Sequence, residues 1–439
     1  MLGFSPPEHV EQILSHLAEN GYAAYLVGGC ARDSIMGRDV HDWDVATSAA
    51  PLDVARLFPK TALTGERFGT ITVLAEGGSV EVTTFRVESG YSDNRRPDMV
   101  EFVDSLYADL SRRDFTINAM AISESRELID PFGGANDIKA RVIRCVGNPD
   151  ERFSEDALRM FRALRFRAEL GFDIEEETMR AIRSNADKAK FISAERVRIE
   201  LEKTLMSQRP EIAGEMIAAG LLCCYMTKRV ERLGGLERIR SFPSEPDMRW
   251  CAFCALLLKE YLISSAEEFL HSLRLDRKTI KTCAMALSVT KFPDSRTDIK
   301  RVLSKQDAQA TRCAAAIHDG LDNMGDGLPS REHSKCLPYI KDNMTSPDSA
   351  GALTETEAIT ASGECYSISN LAVSGRDLIK LGYPPGRDLG HTLARLLDHV
   401  IERPEDNTRE TLLKIASNMY MSIEKCVDNG YFIETDTKM

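Results

Sequence analysis

LVGGCARD at residues 26–33, followed closely by HDWDVAT at residues 41–47, is the stretch from which the fold of this chain is read. An apolar strand-like run ends in Gly28 and Gly29, and a helical signal over residues 31–36 follows directly. Lacking Cβ atoms, two glycines let backbone amides approach an anion, and the start of a helix adds partial positive charge. Arg32 stands about one turn on and can reach a phosphate oxygen. A plain ion pair with Asp33 or Asp39 is its alternative. Asp42 and Asp44 lie two apart in the next strand-like segment, and alternate strand residues share a face, so the carboxylates are expected to converge. Like charges held together are costly unless a cation neutralises them, and oxygen ligands suit magnesium. Two ions ~3.5–4 Å apart can activate a hydroxyl and steady a leaving phosphate. An isolated DxD is commonly a solvated acidic turn. The order strand, GG, helix with Arg, strand with DxD is the specific feature.

Upstream, residues 7–20 predict an amphipathic helix with Val10, Ile13, Leu14 and Leu17 on one face. Downstream, TITVLA, SVEVTTF, VEFVD and VIRCV read as short strands, with helical signals at 51–57 and around 115–120. From Arg152 the pattern turns helical, over 155–168, 174–185 and 194–205. The expected architecture is an α/β N-terminal head, a small mixed sheet with helices over residues 1–145, followed by all-α segments. These are a neck (146–206), a body (207–344) and a tail (345–439), with a loose connection at 343–363, a last helical unit reaching 416, and a frayed end past Cys426.

Of 439 residues, 43% are apolar and 28% charged, ample for buried cores. No run approaches the ~20 apolar residues that cross a bilayer. MLGFSPPEHVEQ has no basic segment followed by an apolar one, so neither a secretion signal nor a membrane is expected, and the cytoplasm is the expected compartment. Eleven cysteines are scattered, and Cys251 and Cys254 sit at helical spacing without a second pair, which points to buried thiols rather than a zinc site. The net charge of −12 argues against a surface coated in nucleic acid but leaves room for a local basic groove.

LVGGCARD with HDWDVAT resembles the signature of the nucleotidyltransferase superfamily in its bacterial class II form, the group of CCA-adding enzymes and bacterial poly(A) polymerases. The resemblance runs in order through EVTTFR (81–86), RRDFTINAM (112–120), DPFGGANDIKARVIR (130–144), EDALRMFRALRF (155–166) and ERVRIELEKTL (195–205). In the second half it is carried chiefly by GRDLIKLGYPPGRDLG (375–390). It implies a nucleotidyltransferase head, Mg2+ on Asp42 and Asp44, and template-independent addition of C, C and A to the 3′ end of tRNA from CTP and ATP. Poly(A) polymerases and CC-only or A-only enzymes share these motifs and stay open as alternatives. RWCAFCALLLKEYL carries no His, so the His–Asp pair of an added phosphohydrolase domain is absent there and a second hydrolytic activity is not expected.

In EDALRMFRALRF, Asp156, Arg159, Arg162 and Arg165 recur every three residues, which on one helix lays them along one side. A ladder of solvated ion pairs is the plain reading. The alternative follows from hydrogen-bond roles. A carboxylate only accepts and a guanidinium only donates, so Asp156 can accept from cytosine N4 or adenine N6 while Arg159 donates to the ring nitrogen. Guanine and uracil place a carbonyl opposite Asp156, a buried mismatch costing about 1–3 kcal/mol. By resemblance Asp156 and Arg159 act as a protein template. Arg162 and Arg165 then touch sugar and phosphates or brace the template, and Arg113 contacts the nucleotide. Asp114 and Asn118 orient it or serve equally as helix caps. Glu81 is a candidate third carboxylate, or an exposed strand residue, and His41 reads as surface. Residues 92–96 with Gly90 and Pro97 read as a mobile loop, whose presence by resemblance favours complete CCA addition.

Overall fold

The computed structural model describes residues 4–65, 69–90, 99–321 and 351–428. The loop expected at 92–96 and the end past 428 lie outside them. The chain divides into two compact units, Met1–Arg240 with Glu260–Ser264 and Phe269–Leu275, and Ser241–Lys259 with Ser265–Glu268 and Asp276–Met439. The boundaries expected at 145 and 206 fall inside the first unit, and that at 344 inside the second.

In the first unit the predicted amphipathic helix is α1 (Glu8–Glu19), and it buries Val10, Ile13, Leu14 and Leu17. Then come β1 (Ala24–Val27), α2 (Gly29–Met36), β2 (Asp44–Thr47), α3 (Pro51–Leu57), β3 (Thr61–Gly65), β4 (Thr70–Ala75) and β5 (Gly78–Thr84). They are followed by β6 (Arg86–Ser89), β7 (Met99–Phe102), α4 (Leu106–Ser111), β8 (Ala121–Ser123), β9 (Leu128–Ile129), α5 (Gly134–Ala140) and β10 (Val142–Ile143). Seven strands form one sheet in the order β3-β4-β5-β2-β1-β8-β9, while β6 and β7 make a separate antiparallel ribbon. Only β2 and β5 run parallel within that sheet; the other neighbours are antiparallel.

Alternation along the central strands splits the core into two layers. Leu26 and Val45 pack with α1 and α3 on one face, and Val27 and Ala46 pack with Phe85 and Leu110 on the other. Both faces are thereby covered, which explains why YLV and VAT read as continuous apolar or small runs. The helical signal around 115–120 is realised only as a single 3-10 turn, Thr116–Asn118. That turn is pinned from behind by α5, because a Cβ at Gly134 would stand 2.2 Å from the Thr116 carbonyl oxygen, leaving room for glycine alone.

Still within the first unit follow α6 (Pro149–Glu155), α7 (Leu158–Leu170), β11 (Asp173–Ile174), α8 (Glu176–Ser184), α9 (Ala194–Met206) and α10 (Ile212–Ala218). Residues 155–168 are thus not one helix, which corrects the single-face expectation. Asp156 has extended backbone between α6 and α7, and its carboxylate accepts the Leu158 amide at 3.0 Å, opening α7 instead of lying on it.

The second unit is helical: α11 (Pro246–Lys259), α12 (Ala266–Ser272, shared at its end with the first unit), α13 (Arg277–Ser288), α14 (Arg296–Lys305), α15 (Ala308–Leu321), α16 (Ala352–Ala361), α17 (Gly375–Lys380), α18 (Arg387–Glu402) and α19 (Arg409–Asp428). Helix α16 lies within the stretch that reads as a loose connection, and α19 continues past 416. Cys251 and Cys254 are buried thiols within α11, as expected. No helix among the described residues is long and apolar enough to cross a membrane.

Candidate active site

Strand register brings the signature residues together. Leu26 pairs with Val45, so Val27 and the glycines after it run alongside Asp44 at the same sheet edge. Parallel pairing sets Asp44 opposite Glu81. Gly28 has φ +73° and ψ −130°, a conformation glycine tolerates and residues with a Cβ do not. A Cβ there would also lie 3.0 Å from Arg113 Nη1 and 3.7 Å from Asp44 Oδ2. Gly28 caps α2, whose first amides open beside these groups. The Cys30 thiol fastens the turn by donating to the Val27 carbonyl at 3.1 Å and the Asp44 carbonyl at 3.5 Å. Burial pushes that thiol up to about 11, so it stays protonated.

Asp44 is partly buried and is pushed up to about 6, first by burial, then by Glu81, with Asp42 adding to the push and Arg113 opposing it. Asp42 sits in a bend just before β2, so it joins Asp44 from the approach to the strand and not, as expected, as a second strand residue. Asp42, Glu81 and His41 are exposed. No three His, Cys, Asp or Glu side chains among the described residues converge as a metal-holding group. Asp44 thus has two acidic neighbours, Glu81 in register on β5 and Asp42 just before β2, and Glu81 acts on it the more strongly.

Behind this edge runs a chain of charged and amide groups. Arg32, buried, donates to both oxygens of Asp33 (3.0 and 2.8 Å) and to Asn118 Oδ1 at 2.7 Å. Asn118 in turn donates to Asp114 at 3.2 Å, and Arg162 donates to Asp114 Oδ2 from Nε and Nη2, each at 2.7 Å. Burial alone would raise the Asp114 carboxyl, but Arg162 and Asn118 hold it down at about 2. Asp114 and Asn118 are thus links in a polar relay, and neither caps a helix.

The α7 arginines have fixed partners. Arg159 donates to Glu155 at 2.6 Å and to the Arg112 carbonyl at 2.9 Å. Arg165 donates to Glu200 at 2.6 Å and Glu169 at 2.7 Å. Three guanidiniums, of Arg32, Arg162 and Arg165, surround the Phe166 ring with centroid distances of 5.2, 5.3 and 4.1 Å, a cation–π cluster tying α2 to α7. Asp156 is gripped by Arg196 of α9 through Nη1 at 3.2 Å and Nη2 at 2.7 Å. Arg196 and Glu200 lie within ERVRIELEKTL and carry no role expected from sequence. Their spacing of four on one helix was the available signal, and it does not say which side chains lie opposite.

Comparison with known proteins gives this arrangement its family. A family model described as "Poly A polymerase head domain" matches residues 24–144, one described as "Probable RNA and SrmB- binding site of polymerase A" matches 171–222, and one for tRNA nucleotidyltransferase domain 2 matches 347–416. The CCA-adding enzyme of Limosilactobacillus fermentum is 36% identical over 94% of this chain and 97% of its own length. That of Geobacillus sp. is 38% identical over 91% of this chain and 94% of its own. Among solved structures, the Bacillus stearothermophilus CCA-adding enzyme in complex with CTP superposes with a TM-score of 0.76 at 29% identity, covering 96% of this chain and 100% of that one. With the glycine turn, the acidic sheet edge and near full-length likeness in agreement, the chain belongs to the CCA-adding enzymes, the tRNA nucleotidyltransferases.

Proposed function

We propose that the chain joins C, C and A to the 3′ end of tRNA from CTP and ATP, releasing pyrophosphate, at the sheet edge of Asp42, Asp44 and the Gly28–Gly29 turn. One observation carries the assignment: Asp44, with Glu81 in register beside it, lies against a positive-φ glycine turn over which Arg113 is laid. The reaction is attack of the tRNA 3′ hydroxyl on the nucleotide α-phosphate, and most of the catalysis is positioning and charge stabilisation.

An oxygen-only donor set, with a partly buried Asp44 repelled by the exposed carboxylates beside it, fits a hard divalent cation. Asp42 and Asp44 would hold Mg2+, which when bound supplies charge neutralisation at the phosphates and acidity at the attacking hydroxyl. Glu81 adds negative potential beside them. The triphosphate is met by the first amides of α2, by Arg113 and by Arg32. Arg32 spends three of its five N–H donors on Asp33 and Asn118 and keeps two.

The base is read at the α6–α7 junction. An ionised carboxylate offers about four acceptor positions. Asp156 uses three, on Leu158 and twice on Arg196, and retains room for one donor such as cytosine N4 or adenine N6. Arg159 donates to the ring nitrogen as it exchanges its contact with Glu155. Arg162 and Arg165 serve as braces through Asp114 and Glu200. In this reading residues 1–145 and 146–206 carry the chemistry. Residues 207–344 are the body and 345–439 the tail, which meets tRNA by shape and phosphate contacts.

Incubating the protein with tRNA lacking its CCA end and CTP alone, ATP alone or both tests the product. Completion of CCA only from the mixture is expected; long A tails, or a stop after CC, would select a relative's activity instead. Asp42→Ala is expected to lower incorporation at least ~1,000-fold while tRNA binding, measured by filter retention, stays within about twofold. Retained turnover would remove Asp42 from the metal assignment.

A further inference from the structure

Arg113 is held by one carboxylate. Asp109, in the short helix α4, has a side chain with no exposed surface, and its Oδ2 accepts from Arg113 Nη2 at 3.2 Å. Its Oδ1 accepts from Arg112, from Nη2 at 2.7 Å and Nε at 3.0 Å. Burial by itself would raise the Asp109 carboxyl, yet Arg113 and Arg112 beside it hold it below its ordinary value. The remaining donors of Arg113 are disposed differently. Nη1 stands against Gly28, and Nε is buried with no hydrogen-bond partner among the described residues. A buried donor without an acceptor is unfavourable by itself and is relieved by a ligand that brings one.

We infer that Asp109 is a positioning residue for nucleotide binding, its buried carboxylate aiming the Arg113 guanidinium at the triphosphate bound over the Gly28–Gly29 turn. The inference rests on Arg113 contacting the incoming nucleotide. Asp109 pins one end of the guanidinium fork and leaves the other toward the turn, so the arginine loses little freedom when phosphate arrives. Without that carboxylate, Arg113 has no acceptor holding it across the glycine turn and swings among rotamers. The effect then falls on nucleotide affinity and not on the tRNA, which does not meet Arg113 in the proposed arrangement.

The test measures steady-state KM separately for CTP, ATP and tRNA in Asp109→Asn, Arg113→Gln and the double variant. Asp109→Asn is expected to raise KM for both nucleotides about tenfold while the tRNA KM stays within about twofold. A purely structural role would instead lower the active fraction and leave every KM where it was, and that result overturns the inference. If Arg113→Gln leaves nucleotide KM unchanged, the reading of Arg113 falls and the inference with it. If Arg113→Gln raises KM and Asp109→Asn does not, the Asp109 inference alone falls. When both raise it, the double variant is expected to match Arg113→Gln, because Asp109 acts through Arg113; multiplied effects would overturn it. Should Asp109→Asn fail to fold, Asp109→Glu keeps the charge but displaces it by one methylene. That variant is expected to raise nucleotide KM severalfold with tRNA KM unmoved, and unchanged nucleotide KM would overturn the proposal.

Discussion

In the first unit Arg165 meets Glu200 with both side chains under one-tenth exposed, whereas in the second Arg312 spans Glu245 and Glu357, whose side chains are 41% and 46% exposed. The partners are the same residue types at similar distances, 2.6 Å in the first case and 3.1 and 2.7 Å in the second. Burial gives them different work. An ion pair at the surface gains little over hydration and is screened by salt. A buried pair is costly to assemble, strongly destabilising to halve, and fixes the direction of each group. The first unit concentrates ion pairs with carboxylates under one-tenth exposed behind the acidic edge, at Asp109, Asp114 and Glu200, where in the proposed function direction matters to a nucleotide. In the second unit Arg312 lashes α15 to α16, and Arg301 reaches from α14 to Asp398 and Glu402 of α18.

Halving one pair of each kind sharpens that contrast. Asp114→Ala removes the buried carboxylate that the part-exposed Arg162, Asn118 and the Phe115 amide share, and is expected to cost about 2–4 kcal/mol of stability, read as a fall in the urea midpoint. A loss under about 1 kcal/mol would erase the distinction between the units. Next in size is the acid response. Asp114 titrates near 2 in the folded chain against about 3.9 unfolded, so its contribution is fully present above pH ~4. It is lost as pH falls from there through ~2, on the order of 2 kcal/mol. Asp114→Asn is expected to remove that part of the acid unfolding profile, and a profile unchanged in slope would break the assignment. The smallest effect is expected from Arg312→Gln, at most about 1 kcal/mol and shrinking further in added salt.

Elements whose evidence is local were legible in the sequence. The four apolar positions of α1, the strand–glycine–helix order at 26–36 and the limits of α3 depend on near neighbours and short periods, and they stand where they were expected. Spacing every three residues could not tell one helix from two. A residue at a helix junction keeps the count while its backbone leaves the spiral, and Asp156 does that because its carboxylate satisfies the Leu158 amide at the opening of α7. Strands β3, β8 and β9 are short or polar and owe their existence to neighbours in the sheet, so period alone missed them. The holders of the site were hidden for a related reason. Arg196 lies 40 residues from Asp156 and Glu200 lies 35 from Arg165, and no local pattern records which distant side chain closes a pair. The residues facing substrate could be proposed from chemistry; those fixing their aim required the tertiary structure.

Discrimination against the wrong pyrimidine reports whether Asp156 and Arg159 read the base. The quantity is kcat/KM for CTP over that for UTP, on tRNA lacking its CCA end, in the unaltered chain and in Asp156→Asn. An asparagine amide can donate to the uracil carbonyl that a carboxylate repels. The ratio is expected to fall tenfold or more, about 1.4 kcal/mol or above. A ratio that stays the same in a folded Asp156→Asn protein would contradict it.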